Sequence, residues 1–212
     1  MTTETRNPAT IIAEERRNLL QVLHEANPTG PTLCEGWQNR HMVAHLLLRE
    51  SQVITTLGIV VPFLAERTER KTAELAETLR ERPAYESAIT EFGLLPGYFN
   101  LRRRKPEADR AMNLIEYFVH IEDVRRARPG WEPRELHPDT REYIWKDLCS
   151  RAKIMAGKNY PDGLVLEVPG DHPLVHTVLT PKPGKVATVL SGLPEELALY
   201  LFGREQAQVI VR

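Results

Sequence analysis

The fold is decided by the stretch Leu114-Ile-Glu-Tyr-Phe-Val-His-Ile-Glu-Asp-Val-Arg-Arg-Ala127. It contains neither proline nor glycine and predicts a helix from about Pro106 to Ala127, which ends before Pro129-Gly130. Glu116 and His120 are four residues apart in it, so they lie on one helical face with Cβ atoms roughly 5–6 Å apart. A carboxylate and an imidazole in this arrangement can bind one metal ion together.

A third metal ligand has to come from another segment, and His45 is the best candidate. It lies in His41-Met-Val-Ala-His-Leu-Leu-Leu-Arg-Glu50, part of a second predicted helix from about Asn39 to Leu57, where its side chain is expected to point inward. From local sequence alone, hydrogen-bonded core or boundary side chains are the commoner explanation of such residues. If all three are ligands, two helices distant in sequence share one ion.

Composition and charge narrow the class of protein. The 212 residues and 42% hydrophobic content suit one medium globular domain, or one domain with a small appendage. The net charge of −1 favours neither nucleic acid nor an anionic membrane as a partner. The N-terminus lacks the apolar core of a signal peptide, and no apolar run approaches the ~18 residues of a membrane span, so we expect a cytoplasmic protein. Cys34 and Cys149 are expected to be free thiols. The oligomeric state is not predicted.

Proline and glycine become frequent after Gly157, which predicts a domain boundary near residue 158. Residues 1–157 are predicted to form a metal-binding helical bundle, and residues 158–212 a small α+β domain, which makes the fold class mainly α. The segment Asn27–Trp37 is predicted to be a loop. The remaining predicted helices are about Ala9–Ala26, Pro62–Arg82, Ala84–Phe92, Pro138–Ala156 and Pro194–Phe202, and the predicted strands are Leu164–Val168, Val175–Thr180, Val186–Leu190 and a last run Gln208–Arg212.

Three motifs together support a resemblance to a known family. They are Gly36-Trp-Gln-Asn-Arg-His-Met-Val-Ala-His45-Leu, Glu116-x-x-x-His120-x-x-Asp123, and Ser191-Gly-Leu-Pro-Glu-Glu-Leu with the later Leu-Phe-Gly-Arg204. This combination resembles the DinB/YfiT-like metal-binding four-helix bundles. Within them it is most similar to the branch of mycothiol-dependent maleylpyruvate isomerase and its uncharacterised metal-binding relatives. The resemblance spans nearly the whole chain.

The ligand pattern is the sharpest part of the resemblance. Many DinB-like bundles use three histidines, whereas the isomerase branch uses His, Glu and His, which implies His45, Glu116 and His120 as the metal ligands here. His41 is outside the family pattern. The start of the second helix departs from the relatives, which usually have Thr or Ser and then Asp where this chain has the run Gln38-Asn-Arg-His41.

Such a ligand set leaves part of the metal coordination sphere open, which indicates an enzyme. Two imidazoles and a carboxylate leave coordination positions for water or substrate, as in catalytic zinc sites. Zinc is the first choice, while nickel, iron and cobalt also suit these ligands. The resemblance implies a mycothiol-type thiol as cosubstrate, bound as thiolate, and a transferase or isomerase acting on a small electrophilic substrate. A hydrolase that uses bound hydroxide and a non-catalytic metal-binding stress or regulatory module are the alternatives.

Four further residues are candidates for the site. Arg49, one turn after His45, either meets an anionic substrate or forms an ordinary salt bridge. Asp123, one turn after His120, is placed to orient that ligand, although a surface partner is an equal alternative. Arg204 is expected to contact substrate across the domain junction. Cys34 either approaches the site as a soft ligand or redox group, or is an inert buried thiol.

Overall fold

The protein is mainly α-helical with a small α+β region at its C-terminal end, as predicted. A computed structural model describes residues 6–51, 62–96 and 105–212. In that part of the chain no helix is long and apolar enough to cross a membrane. The helices are α1 (Pro8–Glu25), α2 (Asn39–Ser51), α3 (Pro62–Thr78), α4 (Arg82–Leu94), α5 (Pro106–Arg125), α6 (Pro138–Ala156) and α7 (Pro194–Leu201).

Helix boundaries follow local signals in the sequence. Asn7 caps α1 by accepting a hydrogen bond from the Ala9 amide at 2.7 Å, and Pro8 occupies the first turn, where its missing N–H costs nothing. Helix α6 ends where Gly157 takes a positive φ of 54°. The predicted end of α2 at Leu57 lies outside the described residues, which follow this helix only to Ser51.

The chain divides into two compact units, Asn7–Glu132 and Pro133–Arg212 with Arg6. This division lies earlier than the boundary that the sequence predicts after residue 157. The difference is the position of α6, which packs on α7 and on strand β2 (Leu174–Leu179). The apolar face of α6 has to be buried against another element. Helix α7 provides such a surface, because the residues of α7 are buried from Pro194 to Leu199.

Helix α5 is the centre of the helical unit. It packs chiefly against α1, while α2 packs against α3 and α4. Apolar residues of α5 are buried on every side of the helix, which is the pattern of a helix surrounded by others. The polar residues of the stretch Leu114–Ala127 are therefore buried or half-buried. The buried apolar residues of α5 are Leu114, Ile115, Tyr117, Phe118, Val119, Ile121 and Val124.

The second unit contains a four-stranded sheet of order β2-β1-β3-β4. The β1 and β2 pair is antiparallel, as is the β3 and β4 pair, while β1 and β3 are parallel. Each strand overlaps a predicted one, and β1 agrees with its predicted bounds. The strands are β1 (Leu164–Val168), β2 (Leu174–Leu179), β3 (Thr188–Ser191) and β4 (Ile210–Val211).

Candidate metal centre

The structure brings together the three predicted ligands on α2 and α5. The Oε1 atom of Glu116 lies 3.3 Å from Nε2 of His120 and 3.7 Å from Nε2 of His45. One ligand atom from each residue can be chosen so that all three lie within 4.8 Å of one another. The i,i+4 spacing places Glu116 beside His120, and the packing of the helical unit brings His45 to the same point.

The two imidazole nitrogens at this point are buried without hydrogen-bond partners. Nε2 of His45 and Nε2 of His120 are both inaccessible to solvent, and neither meets the geometry of a hydrogen bond. An unsatisfied buried polar atom costs about 1–3 kcal/mol, so most native proteins avoid it. Two nitrogen lone pairs and a carboxylate that converge in this way fit a divalent cation, which would satisfy all three.

Glu116 is held as a carboxylate. Burial alone would raise its pKa, but the charge of Arg49 and the contacts with His120 and His45 outweigh burial and hold the pKa well below its usual range. The Nε atom of Arg49 lies 3.3 Å from Oε1 of Glu116. A carboxylate that is already ionised needs to lose no proton before it binds a metal ion.

Arg49 forms hydrogen bonds with residues of α5. Its Nη1 donates a hydrogen bond to Oδ1 of Asn113 at 2.6 Å, and its Nη2 donates to the carbonyl oxygen of Met112 at 3.2 Å. The residue is 7% exposed. This geometry is that of a buried salt bridge with additional hydrogen bonds, and contact of Arg49 with an anionic substrate stays a prediction. Asn113, three residues before Glu116, had not been singled out, although its spacing places it on the same helical face.

Asp123 orients the ring of His120. Its Oδ2 atom lies 3.0 Å from Nδ1 of His120, and its side chain is fully buried. Burial would lower the pKa of His120, but the hydrogen bond to Asp123 and the contact with the Glu116 carboxylate outweigh it and raise the pKa to about 9, so a metal ion that binds at Nε2 would displace a proton. An aspartate acceptor keeps a hydrogen on Nδ1 and leaves Nε2 facing Glu116 and His45, which is the usual support of a metal-binding histidine.

The loop before α2 covers the site from another side. The ring of Trp37 lies 5.3 Å from that of His45, and the rings of His45 and His120 meet edge to face at 5.2 Å. Burial lowers the pKa of His45 and so favours the neutral imidazole that a metal requires. The thiol of Cys34 donates to Oδ2 of Asp123 at 3.3 Å. The sequence analysis assigns Trp37 only to the loop before α2, without a role at the site.

Two other residues considered in the sequence form local hydrogen bonds. His41, which was left out of the ligand set, caps α2, because its Nδ1 accepts a hydrogen bond from the Gln38 amide at 3.1 Å. Arg204 belongs to the second compact unit, in the turn after α7. Its Nη1 donates to the carbonyl oxygen of Phe202 at 2.5 Å.

Comparison with known proteins agrees with the resemblance in the sequence. The family model described as mycothiol maleylpyruvate isomerase N-terminal domain matches residues 9–142. A crystal structure of the mycothiol-dependent maleylpyruvate isomerase is similar with a TM-score of 0.59 and 16% identity, over 96% of this chain and 91% of that one. A histidine-to-alanine mutant of the isomerase gives 0.59 and 15% over the same shares. No curated protein matches significantly. The structural likeness at this identity concerns the fold.

Proposed function

Because the chain belongs to the family of the mycothiol maleylpyruvate isomerase N-terminal domain, we propose that it is a metal-dependent enzyme that uses a mycothiol-type thiol. Its substrate is a small electrophile, onto which the thiol is added or transferred, so the reaction is an isomerisation or a group transfer. The observation that carries the proposal is the convergence of His45, Glu116 and His120, with two buried nitrogens that lack hydrogen-bond partners.

The proposed ligands are His45, Glu116 and His120, and zinc is the first choice of metal. When bound, the ion supplies positive charge that holds a thiol as thiolate at neutral pH. Arg49 keeps Glu116 ionised and links α2 to α5 through Asn113, and Asp123 holds the hydrogen on Nδ1 of His120. The side chains of His45 and Glu116 are 22% and 14% exposed, which supports access for a small thiol from that side.

Arg204 remains a proposed contact for an anionic group of the substrate. A guanidinium binds a carboxylate through two parallel hydrogen bonds, which suits a small acidic electrophile. If this role is right, Arg204→Ala raises KM for such a substrate and leaves the metal content unchanged. A variant with the same KM and kcat as the wild type would remove Arg204 from the site.

The thiol is the part of this proposal that separates it from a hydrolase. We would replace the bound ion with cobalt(II), add N-acetylcysteine or 2-mercaptoethanol, and record the absorption spectrum. Because sulfur is the softer donor, a bound thiolate should produce a sulfur-to-cobalt charge-transfer band. The thiol loses its proton on binding, so its affinity should rise as pH increases from ~6 toward the free thiol pKa of ~8.5.

The control is Cys34→Ser, because Cys34 is the cysteine near the site. The proposal expects this variant to show the same response to added thiol as the wild type. A cobalt spectrum that stays unchanged at all pH values, with the site otherwise intact, would rule out thiol transfer. Hydrolysis by bound hydroxide, or metal binding without turnover, would then be the function to test.

A further inference from the structure

The loop that precedes α2, residues Asn27–Gln38, is attached to α5 beside the proposed metal ligands. The Leu33 amide donates a hydrogen bond to the carbonyl oxygen of Asp123 at 3.0 Å. The Cys34 thiol donates to Oδ2 of the same aspartate at 3.3 Å. The main chain and a side chain of the loop therefore both contact the residue that orients His120.

The conformation of this loop is fixed from within. The hydroxyl of Thr32 accepts a hydrogen bond from the Cys34 amide at 3.2 Å and lies 3.1 Å from the carbonyl oxygen of Trp37, to which it donates. A backbone bridge between Pro31 and Gln38 closes the loop at its base. These contacts fix the backbone on both sides of Cys34, so the thiol extends toward Asp123 from an ordered segment.

Oδ2 of Asp123 connects Cys34 with His120. It lies 3.3 Å from Sγ of Cys34 and 3.0 Å from Nδ1 of His120. The Asp123 side chain has no solvent exposure, so its orientation is set by protein groups and not by bulk water. A donor on one side of the oxygen limits the rotation of the carboxylate, and the carboxylate in turn limits the rotation of the imidazole.

We propose that Cys34 is a positioning residue of the metal centre: its thiol donates to Asp123 and thereby keeps Nε2 of His120 aimed at Glu116 and His45. This inference rests on the proposed metal centre and adds to it a residue that does not touch the ion. Nε2 and Nδ1 lie on opposite sides of the His120 ring, and Cys34 is hydrogen-bonded on the Nδ1 side. The thiol acts through hydrogen bonds alone.

A different role for Cys34 has to be separated from this one. Cys34, His120 and Asp123 also form a set whose ligand atoms lie within 4.8 Å of one another, which suits a thiophilic ion with Cys34 as a ligand. A ligand thiolate gives a charge-transfer band with cobalt(II), whereas a hydrogen-bonding thiol gives none. The cobalt spectrum of the wild type without added thiol therefore distinguishes the two roles.

The test is the zinc dissociation constant, measured by competition with a chelator at one pH. We expect Asp123→Asn to weaken binding about 10–100-fold, which is typical of residues that support a ligand histidine. Cys34→Ala should weaken zinc binding roughly fivefold to tenfold, because the thiol is a weak donor and acts on His120 only through Asp123. Cys34→Ser keeps a donor, so its affinity should stay within about threefold of the wild type.

A double-mutant cycle shows whether Cys34 acts through Asp123. In an Asp123→Ala background, Cys34→Ala should change zinc affinity by less than about twofold, because alanine has no side-chain acceptor for the thiol. A loss that is as large there as in the wild type would overturn the proposal, since general loosening of the loop adds to the Asp123 effect. The melting temperature of each metal-free variant is recorded, and the expected affinity losses occur without a matching loss of stability.

Cys149→Ala is the matched control, because it removes the other cysteine, which lies on α6 in the second compact unit. It should leave zinc affinity unchanged. An unchanged affinity in Cys34→Ala, or a charge-transfer band from Cys34 without added thiol, would overturn the positioning role alone. Wild-type protein that binds no zinc, or His45→Ala protein that binds it as tightly as the wild type, would overturn the metal centre as well.

Discussion

A buried network of Arg16, Glu50 and Tyr117 is expected to make a large contribution to the stability of the helical unit. It joins α1, α2 and α5: Nη1 of Arg16 donates to Glu50 at 2.5 Å and to the Tyr117 hydroxyl at 2.6 Å, and that hydroxyl donates to Glu50. The three residues are 3%, 7% and 0% exposed. Glu50 adjoins Arg49 in sequence and Tyr117 adjoins Glu116, so the network sets the packing of the two helices that carry the ligands.

Removing one member of this network leaves the others buried without their partner. Glu50→Ala leaves the Arg16 charge uncompensated, which costs about 3–5 kcal/mol. Tyr117→Phe removes one hydroxyl that bonds to two charged groups, and we expect about 2–4 kcal/mol. For a chain of this size 1 kcal/mol corresponds to about 2–4 °C, so Glu50→Ala should lower the melting temperature by roughly 6–20 °C.

Urea unfolding followed by tryptophan fluorescence, together with calorimetry, measures these changes. The control is Glu74→Ala, since Glu74 pairs with Arg70 at 3.8 Å with side chains 69% and 72% exposed, and exposed pairs contribute little. Replacing the network as a whole, with Arg16→Met, Glu50→Leu and Tyr117→Phe combined, should cost less than Glu50→Ala alone, because no buried charge is left unpaired. A Glu50→Ala protein as stable as Glu74→Ala would refute this reasoning.

Two further predictions concern the second compact unit. Burial raises the pKa of the Cys149 thiol to about 11, so iodoacetamide should react with it at pH 8 about 100-fold more slowly than with a free thiol. The reaction rate should increase about tenfold per pH unit toward pH 11, because the thiolate is the reactive form. Equal rates for Cys149 and a free thiol would contradict the raised pKa. Gly163 has a φ of 127°, and an added Cβ would lie 2.9 Å from Cα of Pro181, so Gly163→Ala should lower stability by about 1–3 kcal/mol. Gly184→Ala is the control and should cost less in a thermal melt: φ is 73° there, and among the described residues no heavy atom beyond the chain neighbours lies within 4 Å of an added Cβ.

Local signals predicted much of the fold because proline and glycine residues mark many of the helix ends in this chain. Helix α6 has the predicted bounds, Pro138–Ala156, since a proline opens it and Gly157 closes it. The same reasoning predicts a helix that ends at Arg82, before Pro83, whereas Arg82 begins α4 and Pro83 lies in its first turn. Proline is compatible with both positions, and only tertiary packing selects one.

The candidate site could be predicted where it depends on spacing within one helix. Glu116, His120 and Asp123 follow helical periodicity, so their proximity is a local property of α5. The engagement of Arg49 by Asn113 and the contact of Trp37 with His45 depend on how separate segments pack, which no local pattern reports. The packing of α6 on α7 and β2 likewise depends on tertiary structure, because its apolar stripe suits either a bundle or a sheet.

The central claim is that His45, Glu116 and His120 hold one metal ion, and the most direct test is the metal content and affinity of single-alanine variants. Each residue supplies about a third of the protein ligands, so each change should lower affinity by more than about tenfold. His41→Ala is the control, since His41 caps α2 and should leave affinity almost unchanged. The account predicts one equivalent of metal in wild type and His41→Ala, and loss in the other three; Glu116→Ala protein with full occupancy and wild-type affinity would contradict it.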